Sequence, residues 1–243
     1  MNENLLSIEK RSSINGTFWK KRFDYDYEES NQSSSSKLNN ILETILYGRN
    51  LKKEDFNNFL DPKVNNLLID PSELFDMDVA VKEIVSAMVD NKKIGIIGDY
   101  DVDGTTSSSL LTNFFDHYNI SSDVYIPNRL KDGYGPNISA FEKFIEKGID
   151  TVITVDCGSA SIKPLEYAYQ NGVKVIVIDH HKVDTHLPKT FAHINPTRKE
   201  DKSNLNHLAA VGLTFLFVVA LRRSLRERQE FNAIKEPNLK KYL

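Results

Sequence analysis

Across residues 38–90 apolar side chains recur every three or four positions. Leu38, Ile41, Leu42, Ile45 and Leu46 make one such set, and Val81, Ile84, Val85 and Met88 another. That spacing puts each set on one face of a helix. Between them Asp61-Pro62 and Asp70-Pro71 interrupt the pattern, since a residue before proline is pushed out of the helical region. Beyond Lys93 the period changes. Residues 94–97, 124–126, 151–155 and 173–178 are short apolar runs rich in β-branched side chains, each ending in a polar cluster. After the first three, stretches with helix spacing follow at residues 105–118, 138–147 and 162–170. Runs that are apolar on both faces and alternate with helices predict strands of a parallel sheet with crossover helices. The expected fold is therefore α/β: a parallel β-sheet flanked by helices and preceded by a small helical N-terminal region.

This pattern divides the chain into a weakly ordered polar segment (residues 1–37), a helical lead-in (38–90) and the sheet domain (91–243). The first segment carries the serine run 33–36 and too little apolar surface to offset its ordering entropy, with Phe18, Trp19 and Phe23 as its docking candidates. The longest apolar stretch, residues 208–221, contains Gly212 and Thr214 and runs into Arg222, Arg223 and Arg226, which predicts a buried helix and no membrane span. Hydrophobic residues make up 40% and charged residues 27%, as in ordinary globular proteins. A net charge of -3 excludes a global basic footprint, so a nucleic-acid partner must be held by a local patch or through metal ions. One cysteine excludes an internal disulfide and fits a reducing compartment. The N-terminus lacks an apolar core of signal-peptide length, and the expected location is the cytoplasm.

The polar clusters carry the chemistry. In open parallel sheets ligands bind outside the carboxyl ends of the strands, where all the clusters fall. Asp99, Asp101 and Asp103 alternate after the first run, so on an extended exit their carboxylates share one face. Three such groups repel one another unless cations neutralise them, and carboxylate oxygens suit Mg²⁺, Mn²⁺ or Ca²⁺. Gly104 permits a sharp turn, and Thr105 or Thr106 is placed to cap the next helix. An EF-hand loop would require glutamate where Leu110 stands, and it would follow a helix. Asp101-Val102-Asp103-Gly104-Thr105 also resembles the nucleophile loop of haloacid-dehalogenase-type phosphatases, with Asp101 as covalent nucleophile. Asp179-His180-His181 after the fourth run favours metal binding, because neutral imidazole ligates Mn²⁺-like ions and Asp179 can orient its second nitrogen. Asp156 adds a carboxylate at the third exit, as a ligand or as a helix cap, while Cys157 reads as a small buried residue.

The loop DYDVDG, the exit VDCGS and the sequence IDHH resemble the first three motifs of the DHH phosphoesterases. NRLKDGYGPN at residues 128–137, Asn195-Pro196, LAAVGLTF at 208–215 and the lead-in DPSELFDMDVAV are similar to the single-strand-specific exonucleases of that family. The resemblance covers the chain from about residue 38 to its end. It implies a two-metal phosphodiesterase using Mn²⁺ or Mg²⁺, a monomer without a membrane partner. Such an enzyme degrades single-stranded DNA from its 5′ end in repair and recombination. Carried over by motif, Asp101 holds one ion and Asp103 the other, Asp156 bridges them, His180 completes the second site, and His181 lies near the metals or the scissile phosphate. Asp99 and Asp179 join the metal set. Arg129 is a candidate phosphate clamp or a solvated arginine, and Tyr134 a stacking face for a base or a packed turn residue. Gly135, Ser159 and Asn195 complete the expected substrate contacts.

The chain departs from the family in two ways. Ile97 stands where several members carry a metal-ligating histidine, and the chain stops short of the fourth motif, which supplies a further aspartate. A C-terminally incomplete domain with weak metal binding and little activity alone is the resulting expectation. The alternatives are another DHH phosphoesterase (a short-oligonucleotide or cyclic-dinucleotide phosphodiesterase, or a pyrophosphatase), the haloacid-dehalogenase-type phosphatase, and an inactive nucleic-acid-binding remnant.

Overall fold

The computed structural model describes residues 12–18, 34–183, 186–228 and 233–242. It divides into two compact units, residues 1–68 and residues 69–243. In the first, α1 (Ser34–Gly48) is followed by the short helices α2 (Phe56–Leu60) and α3 (Val64–Leu67). α1 begins inside the serine run that the sequence placed in the weakly ordered segment, and serine is a favoured residue at helix starts. Beyond its last residue, Gly48, the chain is turned away by Asn50, whose left-handed φ of 62° lets the Leu51 amide return to the Leu46 carbonyl at 3.2 Å. Leu46 is buried, and the Tyr47 and Phe56 rings meet edge-on with centroids 5.0 Å apart. Phe18 is exposed beside an isolated bridge to Ser12; Trp19 and Phe23 lie outside the described residues.

The second unit is the sheet domain. Its elements are α4 (Met77–Val89), β1 (Ile94–Gly98), α5 (Val102–His117), β2 (Ser122–Tyr125), α6 (Ile138–Glu146), β3 (Thr151–Val155), α7 (Ile162–Gln170), β4 (Lys174–Ile178), β5 (Ala192–Ile194) and α8 (Ala210–Arg226). All four expected strands form. A fifth, β5, also pairs in parallel, aligning Ile176 with Ala192 and Ile178 with Ile194. Three residues are too few to show a period, which is why the pattern missed it. The order is β2-β1-β3-β4-β5, all parallel. The chain therefore reverses its direction of winding between β1 and β3, and at such a switch point the strand ends open a crevice.

Alternation along the strands separates two apolar layers. Ile94, Ile96, Ile153, Val155, Ile176 and Ile178 face the layer built with α4, α5 and α8. Ile97, Val152, Val175 and Val177 face the layer with α6 and α7. Ile97, at the position of the family histidine, thus points away from the other face, fully buried among Phe141, Phe144 and Leu165. α4 buries Met77, Ala80, Val81, Ile84, Val85 and Met88 in the first layer, so the lead-in expected at residues 38–90 divides after Leu68 and its last helix belongs to the sheet domain. The apolar stretch 208–221 runs from just before α8 into it, and the helix buries Leu213, Phe217 and Leu221. Among the described residues no helix is long and apolar enough to cross a membrane.

Candidate metal centre

The acidic and imidazole residues of the crevice come from three strand exits, those of β1, β3 and β4. Asp99 follows β1 directly and is buried, its Oδ1 accepting from the Tyr100 amide at 2.8 Å. Burial raises its carboxyl above the ordinary value, with Asp101 adding like charge. α5 begins at Val102, earlier than the spacing predicted. Asp101 is therefore its N-cap, accepting from the Gly104 amide at 3.0 Å, and that amide holds its carboxyl below the usual range. Thr105 and Thr106 do not cap the helix; their hydroxyls donate back to the carbonyls of Asp101 and Val102, each at 2.6 Å. Gly104 serves close packing and not a turn: a Cβ there would lie 2.5 Å from the backbone N and O of Asp99.

Asp103 consequently sits in the first helical turn, and the three carboxylates do not share an extended face as expected. Its oxygens accept from the amides of Ala210 and Val211, each at 2.7 Å, at the start of α8. Negative charge is favoured at a helix N-terminus, and these amides have no partner within the helix.

Asp156 is the centre of the group. It leaves β3 in the left-handed region at φ 60° and is 1% exposed. Its Oδ1 is buried without a hydrogen-bond partner. Burial pushes this carboxyl up to about 8, and the neighbouring Asp103 and Asp101 add to the shift. His180 Nε2 lies 3.3 Å from that same Oδ1 and 3.6 Å from Asp103 Oδ2. His181 Nδ1 lies 3.9 Å from it and 2.7 Å from Asp179 Oδ1. The Asp179 bond raises His181 to about 9.

Asp179 is placed otherwise than a ligand. Its carboxylate accepts from the amides of Ser159, His180 and His181 and from the His181 ring. Burial opposes its ionisation, yet the bonds from His181 and Ser159 prevail and hold it well below the usual range. Fully engaged by protein donors, it orients the imidazole from behind.

Two ligand sets result: Asp156 with His180 and His181, and Asp99 with Asp101 and Asp156. In each, one potential ligand atom per residue lies within 4.8 Å of the others. Asp156 belongs to both. Asp103 and Asp179, expected among the ligands, fall outside these sets. The residues fit a divalent cation, because a buried carboxylate oxygen without a donor, ringed by carboxylates and imidazole, calls for positive charge, and the oxygen–nitrogen donor set suits Mn²⁺ or Mg²⁺.

The expected substrate residues divide. The Arg129 guanidinium lies 5.2 Å from the Tyr100 ring centroid, beside the acidic loop. Tyr134 donates its hydroxyl to the Asp156 carbonyl at 3.0 Å, and its ring meets His181 edge-on at 6.1 Å, so it braces the centre. Gly135, at φ 72°, backs onto Cys157 and Ser161. Ser159 and Asn195 are 3% and 0% exposed and bonded to each other, which withholds both from a substrate. The sequence does not announce His193 or the Ala210 and Val211 amides. LAAVG at the start of a helix was the available signal for the last two; β5 offered none for His193.

A parallel sheet with carboxylates and imidazoles converging at its switch point defines an α/β protein whose crevice fits a divalent cation. The DHH family, N-terminal domain, matches residues 93–241, and the chain belongs to that family. The haloacid-dehalogenase-type reading of Asp101 falls with it. Among curated proteins the chain is 35% identical over 172 residues to the single-stranded-DNA-specific exonuclease RecJ of Haemophilus influenzae, covering 70% of this chain and 30% of that protein. It is 38% identical over 152 residues to the RecJ of Bacillus subtilis, covering 63% and 19%. It thus spans less than a third of the length of either relative. A crystal structure of exonuclease RecJ bound to manganese superposes with a TM-score of 0.57 at 30% identity, covering 63% of this chain and 38% of that one. RecJ in complex with Mn²⁺ from Thermus thermophilus gives 0.56 at 26% identity, covering 73% and 24%.

Proposed function

We propose that this chain carries the metal-binding part of a single-stranded-DNA-specific exonuclease that hydrolyses phosphodiesters from the 5′ end with two Mn²⁺ or Mg²⁺ ions, in DNA repair and recombination. The observation that carries the reading is the unpartnered, buried Oδ1 of Asp156, shared by both ligand sets. Asp99 and Asp101 would hold one ion, His180 and His181 the other, and Asp156 both. Asp103, braced by α8, lies beside His180 and retains lone pairs for the second ion. Such ions, when bound, activate water and neutralise phosphate charge. Arg129 supplies a planar fork for a phosphate at the rim. Tyr134 keeps the Asp156 carbonyl and the His181 ring in place. Cytoplasmic location, a monomeric state and single-stranded DNA as the partner belong to the same reading, as does low activity of these 243 residues alone.

Labelled single strands and duplexes incubated with Mn²⁺ and with chelator test the proposal. The expected result is slow, Mn²⁺-dependent shortening of single strands from the 5′ end, abolished by Asp156→Ala. Hydrolysis of pyrophosphate or dinucleotides with long strands intact would move the chain to another branch of the family.

A further inference from the structure

Behind the centre lies a buried polar chain that neither ligand set contains. His193 on β5 is 2% exposed, and its Nε2 lies 2.8 Å from the Ser159 hydroxyl. Asn195 Nδ2 donates to that same hydroxyl at 3.0 Å and to the His181 carbonyl at 2.9 Å. The Ser159 amide donates to Asp179 Oδ2 at 3.1 Å, and Asp179 Oδ1 holds the His181 ring at 2.7 Å. Through its hydroxyl and its amide, Ser159 therefore ties together the exits of β3, β4 and β5.

All three side chains meet at Ser159 Oγ. Asn195 donates to it, and His193 Nε2 shares its other bond, the tautomer of the ring setting which partner carries that proton. Burial and the nearby Arg198 lower His193 to about 4, so the ring is neutral at physiological pH and brings no charge into the chain. The ring itself is fixed from both sides of its backbone: the His193 amide donates to Asp76 Oδ2 at 3.0 Å, and Arg198 donates to the His193 carbonyl at 2.6 Å. The turn that carries Ser159 is equally constrained. Gly158 at φ 115° has no room for a Cβ, which would meet Thr154 Oγ1 at 2.7 Å.

We propose that His193 is a positioning residue of the metal centre, fixing the Ser159 hydroxyl so that the Ser159 amide and Asn195 hold Asp179 and the His181 backbone in ligating register. A polar chain this deep is costly, the more so because His193 Nδ1 is buried without a partner, and an apolar residue on β5 would fill the same space without that cost. What the chain accomplishes is alignment. Its members reach Asp179 and the His181 carbonyl, which set the ring and the backbone of one ligand. The inference rests on the metal-centre reading above, but alignment of the His181 ring is measurable without metal.

The test compares wild type with His193→Gln, His193→Leu and Ser159→Ala in the 243-residue chain. The first readout is the proton NMR signal of the His181 Nδ1–H shared with Asp179 in metal-free protein, assigned by its loss in His181→Ala. The second is Mn²⁺ affinity from the electron paramagnetic resonance of free Mn²⁺. His193→Leu and Ser159→Ala are expected to broaden or shift the proton signal and to weaken Mn²⁺ binding about 10- to 100-fold, as for other outer-shell partners. His193→Gln, whose amide can bond the Ser159 hydroxyl as donor or as acceptor, is expected to restore both largely. An unchanged proton signal in His193→Leu, or in Ser159→Ala should the leucine variant not fold, would overturn the proposal, as would a glutamine variant no better than leucine. Absence of Mn²⁺ binding in wild type, with the proton signal responding as described, would instead defeat the metal-centre reading and leave the alignment standing.

Discussion

Asp103 and Ala210 are 107 residues apart in the chain, yet Asp103 Oδ2 accepts the Ala210 amide at 2.7 Å while its other oxygen takes the amide of Val211. A carboxylate beside the proposed centre is thus also the cap of the longest helix of the sheet domain. Asp103→Ala should cost about 1–2 kcal/mol of stability through the lost cap alone, visible as a lower melting temperature in chelator. Asp103→Asn, which can still accept one amide bond, should recover part of that loss and little of the metal affinity. Equal stability of the alanine variant and wild type in chelator would contradict the capping role.

Asp156 predicts a conflict between stability and ligation. A carboxyl raised to about 8 by burial and like charge is destabilising once ionised. Asparagine is isosteric and tolerates the left-handed backbone found at φ 60°. Asp156→Asn is therefore expected to stabilise the metal-free chain at pH 7–8 by on the order of a few kcal/mol, and at the same time to abolish Mn²⁺ binding. Denaturant titration in chelator, with and without the substitution, measures the first effect; a destabilised Asn variant would count against the geometry.

The pH dependence follows with a definite sign. The Asp156 contribution is fully present while the carboxyl is protonated in both states and is lost as pH rises toward about 8. His181, raised to about 9, contributes stability below its ordinary value of 6.5, which disappears as pH climbs through 9. His193, lowered to about 4, works oppositely and weakens the fold as pH falls from 6.5 toward 4. In chelator the melting temperature should therefore decline from about pH 6.5 to 9, while between 6.5 and 4 the Asp156 gain on acidification and the His193 loss oppose each other. Asp156→Asn should lessen the decline up to pH 8 and uncover the acid loss, and His193→Gln should leave stability rising toward acid pH. Mn²⁺ should lift the alkaline limb, since metal replaces protons at the ligands.

Gly104→Ala tests the close approach of α5 to β1. With a Cβ 2.5 Å from the Asp99 backbone, one of the two must move. Loss of several kcal/mol or failure to fold is expected by analogy with other overpacked sites, and a folded variant should bind Mn²⁺ more weakly because Asp99 has shifted. A crystal structure of the variant with Asp99 in place would contradict this.

Arg129 separates affinity from chemistry. Its guanidinium is held over Tyr100, so Arg129→Ala should weaken single-strand binding and lower the salt dependence by about one phosphate contact. Lysine in its place should restore the charge but not the forked geometry. Binding measured across a salt series with Ca²⁺ replacing Mn²⁺ reads this directly; an unchanged slope in the alanine variant would place Arg129 outside the interface.

Much of the sheet was legible because strands buried on both faces write themselves as runs of Ile and Val, and the acidic exits follow those runs directly. Residues 162–170 were placed as a helix with the bounds that α7 shows. Less legible was whatever depended on contacts distant in sequence. Nothing near Asp103 announces the two amides of α8, and so its side chain was assigned to the wrong face. Asp99, Asp101 and Asp103 look equivalent in the sequence, but the early start of α5 gives each a different partner. Ser159 and Asn195 look like substrate contacts by motif, and only burial reveals that they serve one another. β5 and with it His193 escaped detection because a three-residue strand carries no period.

The bond from Asp103 to α8 also sets an order of events during synthesis. A nascent chain that has emerged through β4 already contains Asp99, Asp101, Asp156, His180 and His181, and their strands can pair. Asp103 at that moment has no amides to bind, and its charge adds to the repulsion around Asp156. Only when residues 210 and 211 leave the ribosome and α8 docks is that carboxylate drawn to its place. Docking of α8 is in this sense what completes the crevice, after every strand exit is already in place.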